Sequence, residues 1–269
     1  MQDWNAYFSQ LGLEEKPIRY GIAITPRSGS TWFGDILTRT DSLGKLGEYF
    51  NREAAENTIR FSGARDIPGY FDYLTRAYQT HGVFGFEIDW LRLKQLIDEG
   101  YEEIFAELRA WLFLRRRDFV SQSVSLFKAR ASGYWHSHQS ANEAKPVEYN
   151  ESEILNGVLM LINSEYHLSR YFERLSVTPL ELWYEDVVKM TPVALGTQVL
   201  NYLNIEITDV IQHRLDRVEP RFTKIGSAQN AEFAERFRAA HKILIEVCER
   251  ERGNISAAEL RLKFPEYAH

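Results

Sequence analysis

Short apolar runs alternate along this chain with longer stretches of helical spacing. Between Pro17 and Pro26 lies Arg19-Tyr20-Gly21-Ile22-Ala23-Ile24-Thr25, too short for a helix and suited to a buried strand. Ser28-Gly29-Ser30 then predicts a turn, and Thr31 to Arg39 a helix with Phe33, Ile36, Leu37 and the stem of Arg39 or Thr40 on its inner stripe. Val83 to Ile88, Trp111 to Arg115 and Pro179 to Tyr184 read as three further strands. Leu91 to Leu108 has helical spacing interrupted at Gly100, and Asp118 is placed to cap a helix from Phe119 to about Arg130. Ile154 to Phe172, Pro192 to Leu203 and Ala231 to Glu249 predict three more helices, the last with Phe233, Phe237, Ala240, Leu244 and Val247 on one face. Residues 50–80 are polar and predict loops and one helix. Ser132 to Asn150 holds Tyr134, Trp135, His136, His138 and Tyr149 in a weakly hydrophobic stretch, which predicts a long, exposed loop near an active site. Strands alternating with helices define an α/β fold: a parallel sheet with helices on both faces.

Length and composition narrow this picture. The 269 residues, 44% hydrophobic and 26% charged, suit a single globular domain, with residues 1–17 as an N-terminal extension. With 32 Lys and Arg against 38 Asp and Glu the net charge is −6, which argues against a general nucleic-acid binder. A few converging arginines could still hold an anionic ligand. The one cysteine, Cys248, rules out an intrachain disulfide and a cysteine zinc site, and reads as a small buried helix residue. The start Met1-Gln2-Asp3-Trp4 has no secretory character, and no apolar run approaches the ~20 residues of a membrane span. The expectation is a cytoplasmic protein with no transmembrane segment and no nucleic-acid partner; a homodimer is left open.

Candidate chemistry concentrates in Thr25-Pro26-Arg27-Ser28-Gly29-Ser30-Thr31-Trp32, between the first strand and its helix. Unpaired N–H groups and the positive dipole end at a helix start favour an anion, and Gly29 lets backbone approach it. A plain turn capped by Ser or Thr is the competing reading. The loop is not a Walker A motif, because no Lys precedes the hydroxyl pair. Nothing in the chain forms a metal-ligand cluster at recognisable spacing.

Three segments carry a resemblance. Pro26-Arg27-Ser28-Gly29-Ser30-Thr31-Trp32 resembles the 5′-phosphosulfate loop of sulfotransferases that use 3′-phosphoadenosine 5′-phosphosulfate (PAPS). Leu114-Arg115-Arg116-Arg117-Asp118 through Ser125 resembles their 3′-phosphate segment, and Trp183-Tyr184-Glu185-Asp186-Val187 their Tyr-Glu-Asp-Leu segment. Gly47-Glu48-Tyr49-Phe50, Gly82-Val83-Phe84-Gly85 and Val124-Ser125-Leu126 through Trp135-His136 are similar to the bacterial trehalose 2-sulfotransferase and lipopolysaccharide-type subfamily. The matches run in order from about Tyr20 to Phe237.

The resemblance implies a P-loop-type fold and a sulfotransferase moving a sulfonate group from PAPS to a hydroxyl of a carbohydrate or glycolipid, without a metal. It implies that Arg27, Ser28, Gly29, Ser30 and Thr31 bind the 5′-phosphate and the sulfonate, with Arg27 also aiding catalysis. Arg116 and Ser121 or Ser125 would bind the 3′-phosphate; the serines lie four apart on one helix face and are not told apart. A solvated basic edge is the ordinary reading of the Arg115-Arg116-Arg117 run. Glu48 aligns with the subfamily's general base, and His136 and His138 compete for that role. Lys224, in Lys224-Ile225-Gly226-Ser227, would lie over the adenosine end. The subfamily often has a Lys after the Gly-x-x-Gly strand, where this chain has Phe86 and Glu87, which bears on acceptor type or activity. A nucleoside-triphosphate phosphotransferase and an inert nucleotide-binding relative are the alternatives.

Overall fold

The structure, a computed structural model, describes residues 16–133, 147–219 and 228–267. Its strands are β1 (Ile18–Ile24), β2 (Val83–Asp89), β3 (Ala110–Arg115) and β4 (Leu180–Trp183). The helices between Ser30 and Asp98 are α1 (Ser30–Arg39), α2 (Arg52–Ser62), α3 (Ile67–Tyr78) and α4 (Trp90–Asp98). Next come α5 (Phe119–Ser132), α6 (Glu151–Arg174), α7 (Tyr184–Val187), α8 (Pro192–Tyr202) and α9 (Asp209–Leu215). The last are α10 (Ala228–Ala240), α11 (Lys242–Arg250) and α12 (Ala257–Lys263).

The strands form one parallel sheet in the order β2-β1-β3-β4, with Tyr20 of β1 opposite Gly85 on one side and Ala110 on the other. Both faces are covered, which is why the strands are apolar throughout rather than alternating. On one face Tyr20, Ile22 and Ile24 pack with Phe33, Ile36 and Leu37 of α1 and Leu195 and Val199 of α8. On the other, Phe84, Phe86, Trp111 and Phe113 pack with Phe71 of α3, Leu93 of α4 and Phe172 of α6. A third cluster joins α5, α6, α10, α11 and α12 through Phe119, Ile154, Phe237, Leu244 and Leu260. This is the α/β, P-loop-like architecture expected. Among the described residues no helix is long and apolar enough to cross a membrane.

Several elements depart from the sequence reading. Residues 50–80 hold two helices rather than one, and Asp66 caps the second by accepting from Gly69 N–H at 2.8 Å. The spacing over Leu91 to Leu108 is not one helix: α4 stops before Gly100 (φ 84) and a short 3-10 turn, Glu102–Phe105, follows. Ala231 to Glu249 is broken at His241 (φ −122, ψ 34), so the second half turns Leu244, Ile245 and Cys248 inward while Ala240 is exposed. Cys248 is buried on a helix, as expected.

Candidate active site

The chain leaves β1 for β2 on one side and later crosses to β3 on the other. The loops after β1 and β3 therefore diverge, and the crevice beyond their carboxyl ends is where open α/β sheets bind ligands. The loop after β1 is Thr25–Gly29, and the segment after β3 begins at Arg116.

The first loop is unusual in its backbone. Arg27 has φ 64 and Gly29 φ 90, both in the left-handed region. Gly29 is required twice, since an added Cβ would also overlap the Tyr184 ring. No side chain caps α1, so the N–H groups of its first turn face out past Gly29. Gln122 of α5 pins the loop by donating from Nε2 to Thr25 Oγ1 and to the Pro26 carbonyl, both at 2.8 Å.

The arginine run is resolved by its partners. Arg115 is buried and donates to Glu165 Oε2 at 2.6 Å, and Arg117 lies at the surface with Asp186 at 2.6 Å. Arg116 alone of the three turns to the loop, with Nη1 at 3.5 Å from the Arg27 carbonyl and its guanidinium over the Tyr184 ring. Burial, and then the charge of Arg116, lower the pKa of Arg27. Ser125 Oγ accepts from Arg27 Nε at 3.1 Å. Ser121 Oγ is 3.3 Å from Nη2 of Arg238, which also donates to Asp118 Oδ1 at 2.6 Å. Ser125 thus points toward the loop and Ser121 toward α10.

This half is held from behind. Glu165 is 1% exposed and also accepts from Arg252, whose Nη1 and Nη2 reach the carbonyls of Arg117 and Arg116 at 2.8 and 2.5 Å. Glu185 accepts from the N–H of Arg117 at 2.9 Å and of Asp118 at 3.2 Å. Gln122, Glu165, Arg238 and Arg252 were not singled out from the sequence; they meet the motif residues only through the fold.

Across the crevice the charge reverses. Glu87 N–H donates to the Gly47 carbonyl at 2.9 Å, which lays the Gly47-Glu48 segment against the edge of β2. Glu48, Phe50, Asn51, Glu87, Asp89 and Arg92 line one small cleft. Burial, and then Asp89, push the Glu48 carboxyl up; a 3.5 Å hydrogen bond from Asn51 and the charge of Arg92 oppose this. Glu87 is 5% exposed, and burial followed by the Glu48 charge pushes it up to about 8. Its Oε1 fills the place of a Cβ at Gly34 of α1. Among the described residues no cluster of three or more His, Cys, Asp or Glu is arranged to hold a metal ion. His136, His138 and Lys224 lie outside the described residues.

A strand–loop–helix turn at the switch point of a parallel sheet is the feature that places the chain in the P-loop-like class of α/β folds. The chain belongs to the Stf0 sulphotransferase family, whose model matches residues 19–240. It is thus a sulfotransferase by family. Among solved structures it is similar to the sulfotransferase domain from the Synechococcus PCC 7002 olefin synthase. That similarity has 16% identity and a TM-score of 0.45, and covers 83% of this chain and 96% of the other. No curated protein matches the chain.

Proposed function

We propose that the protein transfers a sulfonate group from PAPS to a hydroxyl of a carbohydrate or glycolipid acceptor. The observation that carries this reading is the convergence of Arg27, Arg116 and the uncapped start of α1 at one point of the crevice. The residues present fit the donor: Ser28 Oγ is buried with no hydrogen-bond partner among the described residues, as expected of a group reserved for an anion, and Arg116 Nε also lacks a hydrogen bond, with Glu185 Oε1 at 3.8 Å.

Arg27, Ser28, Gly29, Ser30 and Thr31 would hold the 5′-phosphate and sulfonate. Arg116, Ser121 and Ser125 would hold the 3′-phosphate, and Arg238 joins them through Ser121. Lys224 is kept as the ligand over the adenosine end. When bound, PAPS supplies the sulfonate and leaves as 3′-phosphoadenosine 5′-phosphate (PAP). Arg27 and the α1 N–H groups offset the negative charge that develops between donor and acceptor, and need no reorganisation because Gln122 already fixes the loop. Glu48 accepts the proton of the attacking hydroxyl; its raised pKa brings a carboxylate nearer the basicity this task needs. No step in this scheme draws on a metal.

The test is a screen of hydroxyl acceptors with radiolabelled PAPS, run with and without EDTA. Labelled product unaffected by EDTA is expected. Transfer that needs a divalent metal and a nucleoside triphosphate would replace this reading with a phosphotransferase, and PAP binding without turnover on any acceptor would leave an inert relative.

A further inference from the structure

Glu87 is a buried acid beside the crevice. It is 5% exposed, and it makes no hydrogen bond or ion pair among the described residues. A buried acid without a partner opposes folding. Its neighbours are committed elsewhere. Tyr20 of β1 donates its hydroxyl to the Leu43 carbonyl at 2.7 Å, and Tyr49 donates to the Lys45 carbonyl at 2.6 Å. Arg92 of α4 is the cation of the cleft, and it is paired to Asp89 at 3.0 Å. On the α1 side the carboxyl lies against Gly34, and on the loop side it feels the charge of Glu48, a second acid. The cleft these groups line thus carries Glu48, Glu87 and Asp89 against one arginine.

We infer that the acceptor brings its own cation: it is an amino alcohol or amino sugar whose ammonium group pairs with Glu87 while a hydroxyl lies at Glu48. The inference rests on the sulfotransferase reading and narrows its acceptor class. Glu48 and Asp89 disfavour an anionic acceptor on this side, whereas an ammonium group favours the ionised form of Glu87 and supplies the donors that this carboxylate then needs. The same geometry selects the reacting atom. A protonated amine has no lone pair to offer sulfur, so the hydroxyl attacks. Its oxygen forms the new O–S bond, the S–O bond to the donor phosphate breaks, and the hydroxyl proton passes to Glu48. The product is a sulfate ester that keeps its ammonium group. Burial leaves Glu87 protonated at neutral pH in the free protein, so pairing with an ammonium group should release a proton. The titratable and charged groups around it are Glu48, Asp89, Arg92, Tyr20 and Tyr49; both tyrosines are pushed up by burial and stay neutral.

The test uses the full chain with carboxyl-labelled glutamate, followed by NMR with and without PAP. The probes are two matched pairs, glucosamine with N-acetylglucosamine and ethanolamine with N-acetylethanolamine. The amines are expected to move the Glu87 carboxyl signal to its ionised position and to release a proton, and their N-acetyl partners are not. Glu87→Gln should bind the amines at least about tenfold more weakly, as loss of a charged hydrogen bond implies. N-acetyl partners as effective as the amines, amine binding unchanged in Glu87→Gln, or no movement of the signal up to the solubility limit would each overturn the inference. PAP affinity is read in the same samples. Its absence would count against the sulfotransferase reading, while the arm without PAP still judges Glu87. The NMR arm on the unmutated protein holds even where a variant fails to fold.

Discussion

The two sides of the crevice are built on opposite principles. On the proposed donor side the backbone that presents the charges is braced: the Arg116 carbonyl by Arg252, Arg252 by Glu165, the β3 exit by Glu185, and the loop by Gln122. On the acceptor side Glu48 has one 3.5 Å hydrogen bond and Glu87 none among the described residues. Bracing suits a site that must present the same charges to one fixed anion in every turnover. On the proposed reading the loosely satisfied side would gain its partners from the acceptor, which would combine a shared donor site with a particular acceptor.

The largest effect is expected at the acceptor side. Glu48→Gln keeps size but loses basicity, so turnover should fall about 10²–10⁴-fold while PAP affinity stays at the wild-type level. Near-normal turnover would move the base elsewhere, to the segment of His136 and His138.

Breaking the brace is expected to act through stability. Glu165→Ala leaves Arg115 and Arg252 buried together without their anion, a change typically costing about 3–5 kcal/mol. Thermal melting should fall, and PAP binding should weaken because the Arg116 and Arg117 carbonyls lose a fixed Arg252. An unchanged melting temperature would show that the network is not what holds the donor side.

Direct loss of a donor ligand is smaller. Arg27→Ala removes a charged hydrogen bond worth about 1.5–3 kcal/mol, so PAP affinity should drop at least about tenfold in calorimetry. Affinity unchanged by the substitution would take Arg27 out of the site.

The effect of pH carries a sign. The folded pKa of Glu87, about 8, lies above its unfolded value, so the folded state binds more protons between the two. Its contribution to stability is present at low pH and is lost as pH rises toward 8. Glu87→Gln cannot ionise, so its melting temperature should gain on wild type as pH rises from 5 to 8, since that range spans the shift to about 8. A constant difference across that range would mean that Glu87 titrates normally.

The contrast between the two sides also explains what the sequence disclosed. The strands, the Asp118 cap and the Arg27–Thr31 loop depend on neighbours a few residues away, and they were legible. Which arginine of the run faces the loop was not, because it is set by Glu165 and Asp186, 50 and 69 positions downstream. Arg238 and Arg252 likewise reach the motif from over 100 positions away. The break at His241 lay inside an unbroken apolar period, and its ring is held by residues far along the chain, Nδ1 by the Tyr267 hydroxyl at 2.8 Å and Nε2 by Glu151 at 3.1 Å. By contrast, Ser256-Ala257-Ala258-Glu259 does announce α12: its Ser-x-x-Glu spacing is legible in the sequence, and the structure shows a capping box there.

The proposed site would fit a nucleotide bearing both a 5′ and a 3′ phosphate. Calorimetric titration of the protein with PAP and with adenosine 5′-phosphate tests it directly. PAP should bind at least about tenfold more tightly, and Arg116→Ala should abolish that preference. Equal affinity for the two nucleotides, or a preference that survives Arg116→Ala, would contradict the account.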